Sequence, residues 1–386
     1  MAGLVAAAEA RRLGASPVVF EKLERPGGSM RLSSGVIWRH RSLDRFLSEC
    51  AGGDRELQRL LFERLDADMR WLESLGAPVM ERETGNPLTT GVRFDPEGLT
   101  EALLEAAGGV VADAAATASP AAGAGSAASG AASTAAGAGS AGSGAATAAS
   151  GVHLASPLRE LQAGTPVILA TGGFAADRAL VREHVTAEAE HLLLRAAPGS
   201  TGDGLRLGLA GGAGLGAGLD QVYARAMPAP PARGEPEDFV RLAQLYARHA
   251  EVTNERGERY ETATWSEIDT AQWMARQPRA RAWFRVPRTA LGERVRDRTV
   301  GEMVQAAEAA GAPVRHEPEH VTVETVAGIT TTLGGLRIDS AARAAPGMFA
   351  CGADAGGLAT GGYASGLAAA LVFGRIAARA ALGVSP

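Results

Sequence analysis

The stretch Gly334–Leu382, GGLRIDSAARAAPGMFACGADAGGLATGGYASGLAAALVFGRIAARAAL, decides the fold. It reads as a short strand at Leu336–Ile338, a polar connection ending in Ala345-Pro346-Gly347, and a second strand at Met348–Cys351. A glycine-rich turn follows from Gly352 to Gly362, and then an Ala/Leu/Val-rich helix from about Ser365 to Leu382. A strand that runs through glycines into a helix start aims backbone N–H groups and the positive end of a helix dipole at a ligand. Glycine permits the close approach because it carries no Cβ.

A related device opens the chain. Met1–Arg12 has helical periodicity, with Leu4, Val5 and Ala8 on one face. Gly14-Ala15 ends it, and Pro17-Val18-Val19-Phe20 reads as a short buried strand finishing at Glu21. Helix, strand and terminal acid form the second half of a βαβ dinucleotide unit, whose acid hydrogen-bonds a ribose hydroxyl. The full fingerprint has an earlier strand and two more glycines; this sequence opens at what would be its third glycine, Gly3. A flat, electron-accepting cofactor would fit between the two ends.

Beyond Glu21-Lys22 lies Arg25-Pro26-Gly27-Gly28-Ser29-Met30-Arg31-Leu32-Ser33-Ser34-Gly35. The run from Met1 to Gly35 resembles the FAD-binding flavoprotein subunits of the fumarate reductase and succinate dehydrogenase superfamily. That group includes tricarballylate-dehydrogenase-like and 3-ketosteroid-dehydrogenase-like enzymes. The resemblance implies an α/β fold: a Rossmann-like FAD-binding domain, here lacking its first strand, with an inserted α+β capping domain. It implies that Glu21 binds the adenosine ribose with Lys22 beside it, and that Gly27, Gly28, Ser29 and Ser34 line the pyrophosphate and flavin.

The expected division is 1–221 plus 321–386 for the FAD-binding domain and 222–320 for the capping domain. Leu43–Leu75 reads as two helical segments broken at Ala51-Gly52-Gly53. Ala112–Gly151, almost wholly Ala, Gly, Ser and Thr, reads as a flexible linker or surface loop. Relatives carry a strand and hairpin there. Thr165–Phe174 reads as a buried strand ending in Thr171-Gly172-Gly173, a string that matches the family at the cofactor. Ser200–Gly204 matches the family's second glycine turn, where Asp203 also suits a helix N-terminus. Asn254–Tyr260 reads as a hairpin around Arg256-Gly257, and Asp269–Arg281 as a helix.

Composition narrows the function. The 386 residues carry a mild net charge of -5 and no basic stripe, which argues against nucleic acid. Two cysteines make no disulfide framework, and the seven histidines make no metal spacing. No apolar run reaches a bilayer-spanning length, because Arg375 and Arg379 interrupt the last helix. With no signal-peptide pattern at the N-terminus, a cytoplasmic location is the expectation.

The resemblance implies hydride transfer between flavin N5 and a C–C bond beside a carbonyl or carboxylate, with FAD as cofactor and an electron partner of unknown identity. Ser365-Gly366-Leu367 would meet the flavin pyrimidine edge, and Gly352 and Asp354 would line the turn before it. The sequence departs from the fumarate reductases on the substrate side. Thr330 and Thr331 stand where they have a histidine pair, Ala353 replaces a glutamate, and no arginine occupies the last glycine turn or Trp265–Glu267. Fumarate and succinate are therefore disfavoured. Tyr363 fits the ketosteroid- and tricarballylate-dehydrogenase pattern; it either donates to a substrate carbonyl or packs on the flavin and closes the turn. Thr330 and Thr331 can donate to a carbonyl. Arg281 is either a strand-to-helix tie or, with Arg279 and Arg285, the charge that would hold a polycarboxylate. A truncated or inactive flavoprotein is the non-enzyme alternative.

Overall fold

The computed structural model describes residues 1–83, 86–109, 118–119, 153–154 and 164–385. At its centre two helices lie side by side, the N-terminal Ala2–Arg12 and the C-terminal Gly366–Ala381. Alanines line both, and every residue from Ala368 to Ala378 is buried. Gly374 makes the contact possible: a Cβ there would stand 2.9 Å from the Ala2 carbonyl oxygen.

Charge locks this helix pair. Arg375 Nε and Nη2 donate to Glu9 at 3.2 and 3.1 Å, and Nη1 donates to Asp68 on the long helix Arg55–Ser74. Glu9 also accepts from Arg12 and Arg379, each at 2.8 Å. Burial pushes the Glu9 pKa up, but Arg12, Arg379 and Arg375 outweigh it and hold it at about 2. Asp68 shares one arginine and is raised by burial.

Beside the helices stands a three-stranded sheet ordered Arg343–Ala345, Met348–Ala350, Val167–Leu169. The last two run parallel, Phe349 opposite Ile168, so the ends of both strands deliver their glycine turns to one place. A second three-stranded sheet, Val36–His40, Thr89–Phe94 and Val79–Glu81, is antiparallel. The helix Pro96–Ala107, capped by Asp95 onto Gly98 N at 2.7 Å, follows it.

The third unit is a seven-stranded sheet built on the 13-residue strand His320–Thr332. Arg281–Pro287 and Val314–His316 pair with its first half, Val222–Pro228 and Leu193–Leu194 with its second. Glu251–Thr253 and Arg259–Tyr260 extend the edge as a hairpin. The sheet thus draws strands from 193 to 332, across the expected boundaries at 222 and 320. A small hairpin, Arg294–Val295 with Arg298–Thr299, holds Arg296 at φ 60, the left-handed region that a side chain seldom adopts.

Several expectations change. Pro17–Phe20 forms no named strand, and Val18 is 63% exposed, because no ladder partner lies beside it among the described residues. Leu336–Ile338 is no strand either; Leu336 makes only single bridges to Leu215 and Ala355. The helix at 269–281 is Ile268–Met274, since Pro278 opens a separate turn and Arg281 begins a strand. The break at 51–53 and the turn at Arg256-Gly257 are found as expected. Most of the Ala/Gly tract 112–151 lies outside the described residues; Ala118–Ser119 pairs with His153–Leu154. No described helix is long and apolar enough to cross a membrane.

Replacing Arg375 by Met should cost ~3–5 kcal/mol in denaturant unfolding, because buried Asp68 loses its partner and Glu9 keeps only Arg12 and Arg379. The Glu9 contribution is present above the ordinary carboxyl value of 4.5 and is lost as pH falls toward about 2. Acid unfolding followed by circular dichroism should show that loss in the wild type and not in a Glu9→Gln variant, whereas Arg375→Met keeps most of it because Arg12 and Arg379 remain on Glu9.

Candidate functional site

Both helix starts open on one cavity of about 1250 Å³. That exceeds the ~300–1,000 Å³ of an ordinary ligand pocket and leaves room for two molecules end to end. Its wall at one end comprises Met1–Gly3, Glu21-Lys22, Gly27–Ser29, Ser34, Thr171-Gly172, Gly352 and Ser365–Leu367. Ser365 caps the C-terminal helix by accepting from Ala368 N at 3.2 Å. The N–H of Gly366 points at the Tyr363 hydroxyl, 3.5 Å away. Gly27 and Gly28 both have positive φ, and a Cβ on Gly28 would meet nothing within 4 Å.

Asp354 arranges the turns from behind. Its carboxylate is 1% exposed and accepts from Thr171 N, from Thr171 Oγ1 at 3.0 Å and from Gly173 N at 3.2 Å. Thr171 Oγ1 in turn accepts from Gly204 N at 2.8 Å. Three loops far apart in sequence are thereby tied at one buried carboxylate, whose pKa burial raises. Neither Asp354 nor Gly173 lines the cavity, which corrects their expected placement; a Cβ on Gly173 would stand 2.4 Å from Thr332 Oγ1. Asp203 lines the wall as the first residue of a helix, and pairs with Lys22 at 2.6 Å. Glu21 Oε1 accepts from Leu23 N at 3.1 Å.

The other end is aromatic and cationic. Tyr363 stacks on Tyr223 with centroids 4.2 Å apart and planes 8° from parallel. Trp38 meets Tyr363 edge-on at 5.7 Å, and His40 lies behind Trp38 at 5.4 Å. Burial pushes the His40 pKa down to about 4, so the ring is neutral near pH 7. Arg225 Nε donates to the Tyr223 hydroxyl at 2.9 Å, and Arg195 Nη1 donates to Thr330 Oγ1 at 2.8 Å. Arg296 reaches in from the hairpin tip over Trp265. Burial raises the Tyr223 pKa, yet Arg225, Arg195 and Arg296 together pull it down to about 8. Its stacked neighbour Tyr363 is pushed up by burial.

Of the expected catalytic residues, Tyr363, Thr330 and Thr331 line this end and Arg281 does not. Arg281 pairs with Glu324 on the adjoining strand, within the sheet. Arg279 and Arg285 lie outside the cavity too, in ion pairs with Glu255, Glu251 and Glu317. No arginine comes from the last glycine turn or from Trp265–Glu267, as the sequence has it, but Arg195, Arg225 and Arg296 line this end from other elements. Tyr223 and Arg225 had a sequence signal, an i, i+2 polar pair within the apolar strand VYARAMP. Arg296 had none, since only the hairpin carries it there.

A family profile described as "FAD binding domain" matches residues 1–367. No curated protein matches the sequence. Among solved structures, the open conformation of a flavocytochrome c3 fumarate reductase is similar with a TM-score of 0.67 at 18% identity, covering 99% of this chain and 76% of that one. A 3-ketosteroid-delta4-(5alpha)-dehydrogenase from Rhodococcus jostii RHA1 gives 0.65 at 18% identity, over 98% and 94%. A 3-ketosteroid delta1-dehydrogenase from Sterolibacterium denitrificans gives 0.68 at 15% identity, over 99% and 98%.

Tyrosinate absorption should titrate at about 8 for Tyr223 and disappear from that range in Tyr223→Phe. Arg225→Gln should move the transition upward, since it removes the nearest opposite charge.

Proposed function

The chain belongs to the FAD binding domain family, a family of FAD-dependent oxidoreductases, and on that premise we propose that it acts on a C–C bond beside a carbonyl. The residues present fit the cofactor. Gly28 is open where a Cβ would stand, and at Gly366 the nearest atom is the Tyr363 hydroxyl at 4.0 Å, so a ligand can approach both backbones. Two helix starts, the hydroxyls of Ser29 and Ser34, and the Glu21 carboxylate supply the donors and acceptor that a dinucleotide needs, with Thr171 holding the turn beside them. Gly3, Lys22, Gly27, Gly172, Gly352, Ser365 and Leu367 complete this cradle; Gly173, Asp203 and Asp354 hold it from outside or at its edge.

Bound flavin supplies a hydride acceptor or donor. The protein's work is to place the substrate and move one proton. With flavin bound to exchange the hydride, the Tyr223 phenolate would take the remaining hydrogen of the saturated C–C bond as a proton in the oxidising direction, and the phenol would return that proton in the reducing direction. A phenol near 8 carries either form close to neutral pH, which suits it to this transfer. Tyr363 and Thr330 or Thr331 would donate to the substrate carbonyl and stabilise charge as it develops there. The observation that carries the reading is the stacked Tyr223–Tyr363 pair beside the start of the C-terminal helix.

The test is anaerobic bleaching of the flavin bands of the FAD-loaded protein by saturated ketones and carboxylic acids, with a dye as electron acceptor for turnover. Tyr223→Phe should lower kcat by ~10²–10⁴-fold with FAD content unchanged. Bleaching by none of these classes, or full activity in Tyr223→Phe, would contradict the proposal.

A further inference from the structure

Three guanidiniums at one end of a cavity, drawn from three separate elements, call for an anion. Arg195 follows the strand Leu193–Leu194, Arg225 sits in Val222–Pro228 and Arg296 in the hairpin turn. Arg195 and Arg225 are 8% and 5% exposed. Among the described residues none of the three makes an ion pair with a carboxylate. Their partners are the Phe239 carbonyl and Thr330 for Arg195, and Tyr223 and the Ser266 carbonyl for Arg225. Arg296, exposed at the hairpin turn, lies over the face of Trp265 at 5.7 Å; desolvation and the nearby Arg225 lower its pKa to about 10 against the attraction of Tyr223, Glu267 and Asp297.

The neighbouring carboxylates make no ion pair with the three among the described residues, although Glu267 attracts Arg225 and Arg296 and Asp297 attracts Arg296 at longer range. Glu267 lies behind the wall and accepts from Ala247 N at 3.0 Å and Arg248 N at 3.2 Å. Asp269 accepts from Thr262, Thr264, Tyr260 and Ala263 N. Asp297, next to Arg296 in the turn, pairs with none of the three among the described residues. Arg195 and Arg225 are buried without an ion pair to a carboxylate, which costs on the order of several kcal/mol each, while Arg296 stands exposed at the hairpin turn. A cluster this close to the Tyr223 hydroxyl is balanced when a ligand brings the negative charge.

We propose that Arg195, Arg225 and Arg296 form a carboxylate subsite, and that the substrate is a monocarboxylic acid whose planar apolar body lies along Trp38 and Tyr363. This rests on the function proposed above and names its substrate class. A guanidinium fork matches one carboxylate in bidentate fashion. The wall that continues from it is Trp38, Tyr363 and neutral His40, which offers flat apolar surface, and the further arginines of the cavity are engaged: Arg93 with Glu81, Arg241 with Asp238, and Arg298 with the Arg241 and Ala243 carbonyls. Held this way, the carboxylate is itself the carbonyl beside the reacting bond, and Tyr223 stands between the anion and the aromatic wall.

The test uses FAD-loaded protein and calorimetry with cinnamate, its uncharged amide cinnamamide, succinate and a steroid enone. Cinnamate should bind at least ~10-fold more tightly than cinnamamide, a difference of about 1.4 kcal/mol, and lose that margin in Arg296→Gln and in high salt. Amide binding, FAD content and unfolding midpoint should be the same in Arg296→Gln as in the wild type. Equal affinity for acid and amide, tighter binding of succinate or the steroid, or an unchanged margin in Arg296→Gln would overturn the subsite. If the margin holds but 3-phenylpropanoate, the saturated acid that can give up hydride, does not bleach the flavin, the proposed reaction fails while the subsite stands. Bleaching by the uncharged enone without any carboxylate preference reverses that result.

Discussion

The arrangement depends on one buried arginine. Arg375, on a helix whose other neighbours are alanines, valines and leucines, joins Glu9 of the N-terminal helix to Asp68 of the long helix behind. Alanine-rich faces pack closely but select few alternatives to their register, whereas a charge buried without its partner is strongly penalised. The ion network therefore fixes how the two chain ends lie against each other. Once they are fixed, both helix N-termini open on the same cavity, and the glycine turns that precede them converge. Asp354 does for the turns what Arg375 does for the helices, gathering Thr171, Gly173 and Gly204 about one carboxylate.

Much of this was legible in the sequence because it depends on local rules. Glycines at 27, 28 and 172 mark backbone that must bend with positive φ, Pro96 and Asp95 mark a helix start, and the alanine spacing of 366–381 marks a buried helix. The readings that changed are those a single segment cannot decide. Pro17–Phe20 and Leu336–Ile338 are apolar enough for strands, but a strand is a ladder, and the described residues offer them little to pair with. Asp354 looked like a cavity residue because its neighbour in the chain is one. Its burial turns it inward, so it organises the site from behind.

The substrate end was the least legible part, for a physical reason. Its character comes from residues that share no motif: Trp38 from the first antiparallel sheet, Arg195 from a loop, Tyr223 and Arg225 from one strand, Arg296 from a hairpin, Tyr363 from the last turn. Reading only the positions where relatives carry arginine leads to an uncharged pocket. The fold restores positive charge from other places in the chain. That charge changes the phenol chemistry as well, for the same guanidiniums that would hold an anion bring Tyr223 into the range where it exchanges a proton. Aromatic stacking and cation placement are thus a single arrangement here.

The central claim is that the two glycine-lined helix starts receive one flat redox cofactor. The most direct measurement is the amount of FAD that stays with the protein after incubation and desalting, compared between the wild type and Gly366→Val, whose added side chain would occupy the open approach at the C-terminal helix. The account requires yellow wild-type protein and a variant that folds equally well but loses the flavin. Colourless wild-type protein, or equal flavin in both, would contradict it.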